Sequence, residues 1–347
     1  MFSFINIVRA LATCLITNSH FSPIYTYDII AKGGALGNSL FFLATGFCLA
    51  SCNGRFGNWY SKRLLRLYVP LLFVSGFYLC VGNNIVETVF FSYIFPQNYW
   101  FICALVILYP LYYLAVKYPF KNRRYIYTAA LVLLYAVIYM FLDKSRYMVE
   151  TVEFFAIRFS YIFSFFLMLM GAYLRKHFQE IREKLCSKRI PILFMFFVFI
   201  ILYFGFILLM GRFKELCLIQ YFETILCILT SLTLFLFVML FENDIADKKR
   251  TVLVRSVDFL GTCTLEIYLV QFPIINFVGE LPFPSILKFI IAVSSILGCA
   301  YLLKTISGYF IKKLSFVFFM IFSSKLLQRD ILLHLPFNNI HSFCENF

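Results

Sequence analysis

Two ionisable residues, Arg9 and His20, lie in the first apolar stretch of the chain. They are eleven positions apart. At 100° per residue a helix makes three turns plus about 20° over that interval and rises about 16.5 Å. Both side chains therefore leave one face of a helix at two depths. Asn6, Thr13 and Thr17 fall within about 80° of the same face and complete a polar stripe. Ionisable groups inside a bilayer are costly and mark functional sites. A histidine changes charge near neutral pH and suits a general base. An arginine suits a phosphate or an oxyanion. The simpler reading is two snorkelling interface residues, and the shared face with its Asn/Thr infill weighs against it. His20 is also the only one of the four His that falls inside an apolar stretch.

Other chemistry-bearing residues are arranged around this stripe. The second apolar stretch opens with Gly37-Asn38-Ser39-Leu40-Phe41-Phe42. Running opposite to the first, it places Asn38 and Ser39 at the depth of His20, where they are candidate substrate contacts. Glycines allow close helix approach, and the polar residues supply bonds between helices. The run Lys62-Arg63-Leu64-Leu65-Arg66 puts two guanidinium groups at i,i+3 on one helix face. They are candidates for holding phosphates bidentately, although loop charge alone also accounts for them. Late in the chain Glu266 and Gln271 are candidate substrate residues, with Glu266 expected to face a cavity near Gln271. Glu153, Arg158 and Glu223 are further intramembrane charges, and Arg158–Glu223 is the expected structural pair. Eleven Cys are scattered without a CxxC, mostly in apolar runs. They read as small buried hydrophobes, with no metal site expected.

These residues need elements to position them, and composition says which. Of 347 residues 62% are hydrophobic and 14% charged, against about 45–50% and about 25% in soluble domains. That excludes a soluble enzyme, a nucleic-acid module and a disordered chain. The formal charge of +14 is then loop charge that orients spans, and no nucleic-acid partner is expected. Alternation of apolar and polar residues, as in a membrane β-barrel, is absent. Ten apolar segments of about membrane length run over 3–22, 36–53, 67–82, 98–117, 125–142, 152–174, 190–210, 217–241, 260–279 and 285–307. The even connections and the tail hold 23 of the 31 basic residues. An all-α bundle of about ten transmembrane helices with both termini cytoplasmic follows. No Lys or Arg precedes the first stretch, so it reads as a permanent span rather than a cleaved signal. Residues 1–310 form a single membrane domain and 311–347 a cytoplasmic or interfacial tail. Within that tail 315–322 is expected to be an interfacial helix, an eleventh span over 315–335 being the alternative.

The pattern resembles the membrane acyltransferase-3 family. The resemblance rests on Arg9-x(10)-His20, Gly37…Leu40-Phe41-Phe42…Thr45-Gly46-Phe47, Lys62-Arg63-Leu64-Leu65-Arg66…Pro70, Tyr99-Trp100-Phe101 and Tyr268-Leu269-Val270-Gln271. It implies an O-acyltransferase of the bacterial cytoplasmic membrane. The donor implied is a cytoplasmic acyl-CoA, acetyl-CoA by default. The acceptor implied is a surface polysaccharide or lipid-linked glycan. Where the family commonly has an acidic residue, a Ser and a late His, this chain has Asn38/Ser39, Thr45 and Gln271. His20 and Arg9 are the expected catalytic pair, with Arg63 and Arg66 at the donor. The competing reading is a polytopic glycan transporter or flippase. No inverted repeat and no matched pair of broken spans supports it.

Overall fold

The structure is a computed structural model and describes residues 2–51, 54–80, 99–117, 124–144, 151–154, 157–247 and 251–334. Among them thirteen α-helices follow in order. They are α1 (Ser3–Ser19), α2 (Gly34–Leu49), α3 (Phe56–Cys80), α4 (Trp100–Lys117), α5 (Arg124–Phe141), α6 (Tyr161–Lys176) and α7 (Phe178–Leu185). After these come α8 (Arg189–Arg212), α9 (Tyr221–Met239), α10 (Glu242–Asp247), α11 (Val252–Thr262), α12 (Thr264–Gly279) and α13 (Ser285–His334). A short antiparallel pair, Glu153–Phe154 with Ile157–Arg158, precedes α6. The chain is an all-α polytopic membrane protein. Among the described residues four stretches suffice, by length and composition, to cross a bilayer: Trp100–Lys117, Phe178–Arg212, Tyr221–Met239 and Ser285–Leu314. A fifth is Val254–Thr262 with Thr264–Gly279, counted as one bent span.

The two helices with the polar stripe and the Gly-rich motif are central. α1 packs on α2, α11 and α12, and α2 packs on α6 and α9. Small residues make this closeness possible. A Cβ on Gly46 would lie 2.0 Å from the Met168 carbonyl oxygen, and one on Gly171 would lie 2.2 Å from that of Leu43. No side chain fits there, so α2 and α6 cross backbone to backbone. Contacts between helices also give direction. Phe47 meets Phe4 while Gly37 meets Ala12 and Ile16, so α2 runs antiparallel to α1. Thr17 meets Gln271, and Pro23, just past the end of α1, meets Gly279 at the end of α12, so α12 runs parallel to α1. α1 begins where it does because Glu242, opening α10, accepts from the Ser3 and Phe4 amides at 2.9 and 2.7 Å. A distant carboxylate thus satisfies orphan donors and matches the positive end of the helix dipole.

Several expectations change. The sixth apolar segment starts helix only at Tyr161, because Glu153–Phe154 and Ile157–Arg158 fold as the strand pair. The ninth is preceded by α11, which packs across α1 and meets α12 at 77°. There Asn6 of α1 donates to Asp258 Oδ1 at 2.9 Å and packs on Gly261. The separate interfacial helix at 315–322 is absent: α13 continues unbroken from Ser285 to His334. Between Ser315 and His334 the chain has neither Pro nor Gly, so nothing local ends the helix. The ends of the third segment and start of the fourth (81–82, 98), several loop charges (118–123, 145–150, 248–250) and the tail at 335–347 lie outside the described residues.

Candidate active site

His20 caps the C-terminal end of α1, its backbone N–H donating to the Thr17 carbonyl at 3.0 Å. The chain then folds back. Asn18 Nδ2 donates to the carbonyls of Ile30 and Lys32 at 2.8 and 3.0 Å, and Tyr25 Oη donates to Asn18 Oδ1 at 2.8 Å. These bonds pin the 22–32 loop as a rim beside His20. Inside the rim is a cavity of about 560 Å³, lined by His20 together with Asn38, Trp100, Tyr135, Glu223 and Tyr268. Among the described residues neither ring nitrogen of His20 has a hydrogen-bond partner. One flank of the ring rests on Phe272, centroids 4.2 Å apart. One turn back, Thr17 Oγ1 donates to Gln271 Oε1 at 2.8 Å, which fixes α12 to α1 just below His20.

Arg158 enters the same cavity, its guanidinium 4.9 Å from the Trp100 ring centroid. Its ion pair is with Glu153, Nε to Oε1 at 2.5 Å, rather than the expected Glu223. The strand pair sets Glu153 directly across from Arg158, whereas Glu223 reaches the cavity separately from α9.

A second cavity of about 100 Å³ lies towards the other end of α1. Arg9, Arg63, Arg66 and Glu266 line it, with Cys48 and Tyr109. The Arg9 Nε is buried and has no hydrogen-bond partner among the described residues. The Arg63 guanidinium lies 5.8 Å from the Trp59 ring centroid, which steadies its plane. Three guanidinium groups against one carboxylate make an anion site.

The residues singled out from sequence thus divide. Arg9, Arg63 and Arg66, from two helices, come together. His20 and Asn38 come together in the other cavity. Arg9 and His20 share a face of α1 but open into different cavities. Glu266 sits with Arg9 and not beside Gln271, because five residues turn a helix by about 140°. Gln271 is fully buried and lines neither cavity. Ser39 is also fully buried, its Oγ 3.3 Å from Cys227 Sγ on the α9 side of α2, and likewise lines neither.

Sequence reasoning missed the aromatic lining of the larger cavity, for which isolated Tyr residues in apolar helices were the available signal. It also gave no role to Lys304. Lys304 lies within α13, where Nζ donates to Thr262 Oγ1 at 2.7 Å and lies 3.6 Å from Cys263 Sγ. That ammonium sits at the α11–α12 break, beside the carbonyl end of α11. A lysine amid an otherwise apolar run was the signal.

No curated protein and no solved structure matches the chain. A family described as an acyltransferase domain matches residues 2–305, a range that includes all of α1 to α12 and both cavities. An Arg/His stripe on the central helix, a triple-arginine cavity and a histidine cavity thus occur in a chain that belongs to the acyltransferase-3 family.

Proposed function

We propose that this membrane acyltransferase moves an acyl group, acetyl by default, from cytoplasmic acyl-CoA to a hydroxyl of a surface or lipid-linked glycan. The observation that carries the reading is the pair of cavities stacked along α1, one rich in arginine and one holding His20. The smaller cavity receives the donor. The cavity takes only the acyl end: the exposed Arg66 and half-buried Arg63 hold the phosphates outside its mouth, and Arg9 faces the negative charge that develops at the thioester oxygen. The larger cavity receives the acceptor, with Asn38 positioned to hydrogen-bond sugar hydroxyls and the aromatic side chains to stack on the ring.

In the transfer, the acceptor oxygen attacks the thioester carbon. The carbon–oxygen bond forms, the carbon–sulfur bond breaks, the hydroxyl proton passes to His20, and the leaving thiolate is protonated in turn. Glu266 balances part of the guanidinium charge, and Gln271 positions His20 through Thr17 and Phe272.

Purified protein supplied with acetyl-CoA and a cell-envelope glycan fraction should release CoA in an acceptor-dependent manner. A flippase would release none. The reading also places the Arg9 end in the cytoplasm of a bacterial cytoplasmic membrane. Ten crossings and cytoplasmic termini go with it, as the basic connections require. A membrane-impermeant thiol reagent added outside should then label Lys214→Cys and spare the exposed native Cys186. Lys214 follows α8 at the His20 end, and Cys186 precedes it at the opposite end. Labelling of Cys186 alone would invert the bundle.

A further inference from the structure

The boundary between the two cavities falls at one level on four helices. On α1 it lies between Arg9 and Ile16, on α2 between Asn38 and Phe41, on α4 between Trp100 and Phe101, and on α12 between Glu266 and Tyr268. On α4 the change occurs between neighbouring residues, about 1.5 Å of rise. What fills that level is aromatic. Phe41 and Phe101 meet edge to face with centroids 4.6 Å apart, and Phe101 meets Tyr268 at 5.3 Å. Phe41 and Phe101 line the arginine cavity and Tyr268 lines the histidine cavity, so the three rings form a wall one side chain thick.

We infer that Phe41, Phe101 and Tyr268 form the septum through which the acyl group passes and which limits its length. This rests on the acyl-transfer reading above. The arginine cavity, at about 100 Å³, is smaller than the ~150 Å³ cavity that takes one benzene, so it has room for a short acyl thioester and little more. Bound there, the thioester carbon faces the septum, and the acceptor hydroxyl and His20 lie beyond it. Each added methylene must be housed among three packed rings, where interiors have little free space. The septum therefore discriminates by size, while the guanidinium groups see only the constant part of the donor.

Two measurements test this. In competition between acetyl-CoA and butyryl-CoA, the wild-type protein should favour acetyl transfer, and Phe101→Leu should raise the butyryl-to-acetyl ratio by about tenfold or more, the low end for pocket discrimination by methylenes. Phe41→Leu, on the other side of the contact, should shift the ratio the same way and stands in if Phe101→Leu does not purify as a monodisperse protein. An unchanged ratio in variants that still transfer acetyl overturns the septum. The second readout needs no activity. Cys48 lines the arginine cavity, so a small membrane-impermeant thiol reagent added on the His20 side should spare it in the wild type and modify it in Phe101→Leu. Equal modification in both shows that no septum exists. If wild type transfers neither acyl group, the acyl-transfer reading fails, and the Cys48 result still decides whether the two cavities are walled apart.

Discussion

His20→Ala is expected to lower acyl transfer by roughly 10²–10⁴-fold, the usual contribution of a positioned general base, while leaving donor binding nearly unchanged. The two effects separate because His20 and the three arginines open into different cavities on α1. His20 is the first residue beyond the helix, is held against Phe272, and lines the larger cavity. The informative variant is His20→Gln, which keeps bulk and hydrogen bonding but cannot take up a proton at working pH. Transfer at near wild-type rate in His20→Gln would remove the general-base role. The enzyme reading would then stand on family membership and the arginine cavity. Because the side chain packs at a helix end rather than in the core, both variants should insert and purify as the wild type does.

The second large effect is at the donor end. Arg66→Lys and Arg63→Lys should each weaken binding of CoA by roughly ten- to a hundredfold, as expected from about 1.5–3 kcal/mol per charge-assisted contact. Lysine keeps the charge and so preserves topology, but it cannot form the planar two-donor fork. Arg63→Lys also alters the cation–ring contact with Trp59. The two losses should not add fully, since both groups address one ligand. Calorimetric titration of purified protein with CoA measures this directly. Unchanged affinity in both variants would return the pair to the role of cytoplasmic loop charge. Arg9→Ala is expected to differ in kind, with slower transfer beyond any loss of binding. Its buried Nε has no hydrogen-bond partner among the described residues, and its side chain lines the cavity proposed for the thioester.

Much of this was written along single helices. The Arg9–His20 stripe follows from 3.6 residues per turn and nothing else. The helical architecture follows from apolar length, because a backbone in lipid must bond to itself. What one helix cannot specify is which neighbour covers each of its faces. Asn38 and Ser39 are adjacent in sequence and equal in depth. Only the packing of α9 against α2 buries Ser39 on Cys227 and leaves Asn38 in the His20 cavity. Glu266 and Gln271 share a helix, and the contacts of α12 with α1 and α3 send one to the arginines and the other to Thr17. The partner of Arg158 was decided by a strand pair inside an apolar segment that reads as helix. Lys304 found its place only when α13 was laid beside the break between α11 and α12. Sequence therefore determined the elements, the direction each stripe faces within its own helix, and the chemical character of the residues available. The tertiary structure decided that the stripe opens into two cavities instead of one, because three aromatic rings from α2, α4 and α12 meet between Arg9 and His20, and contacts between distant helices leave no periodic trace in any one of them.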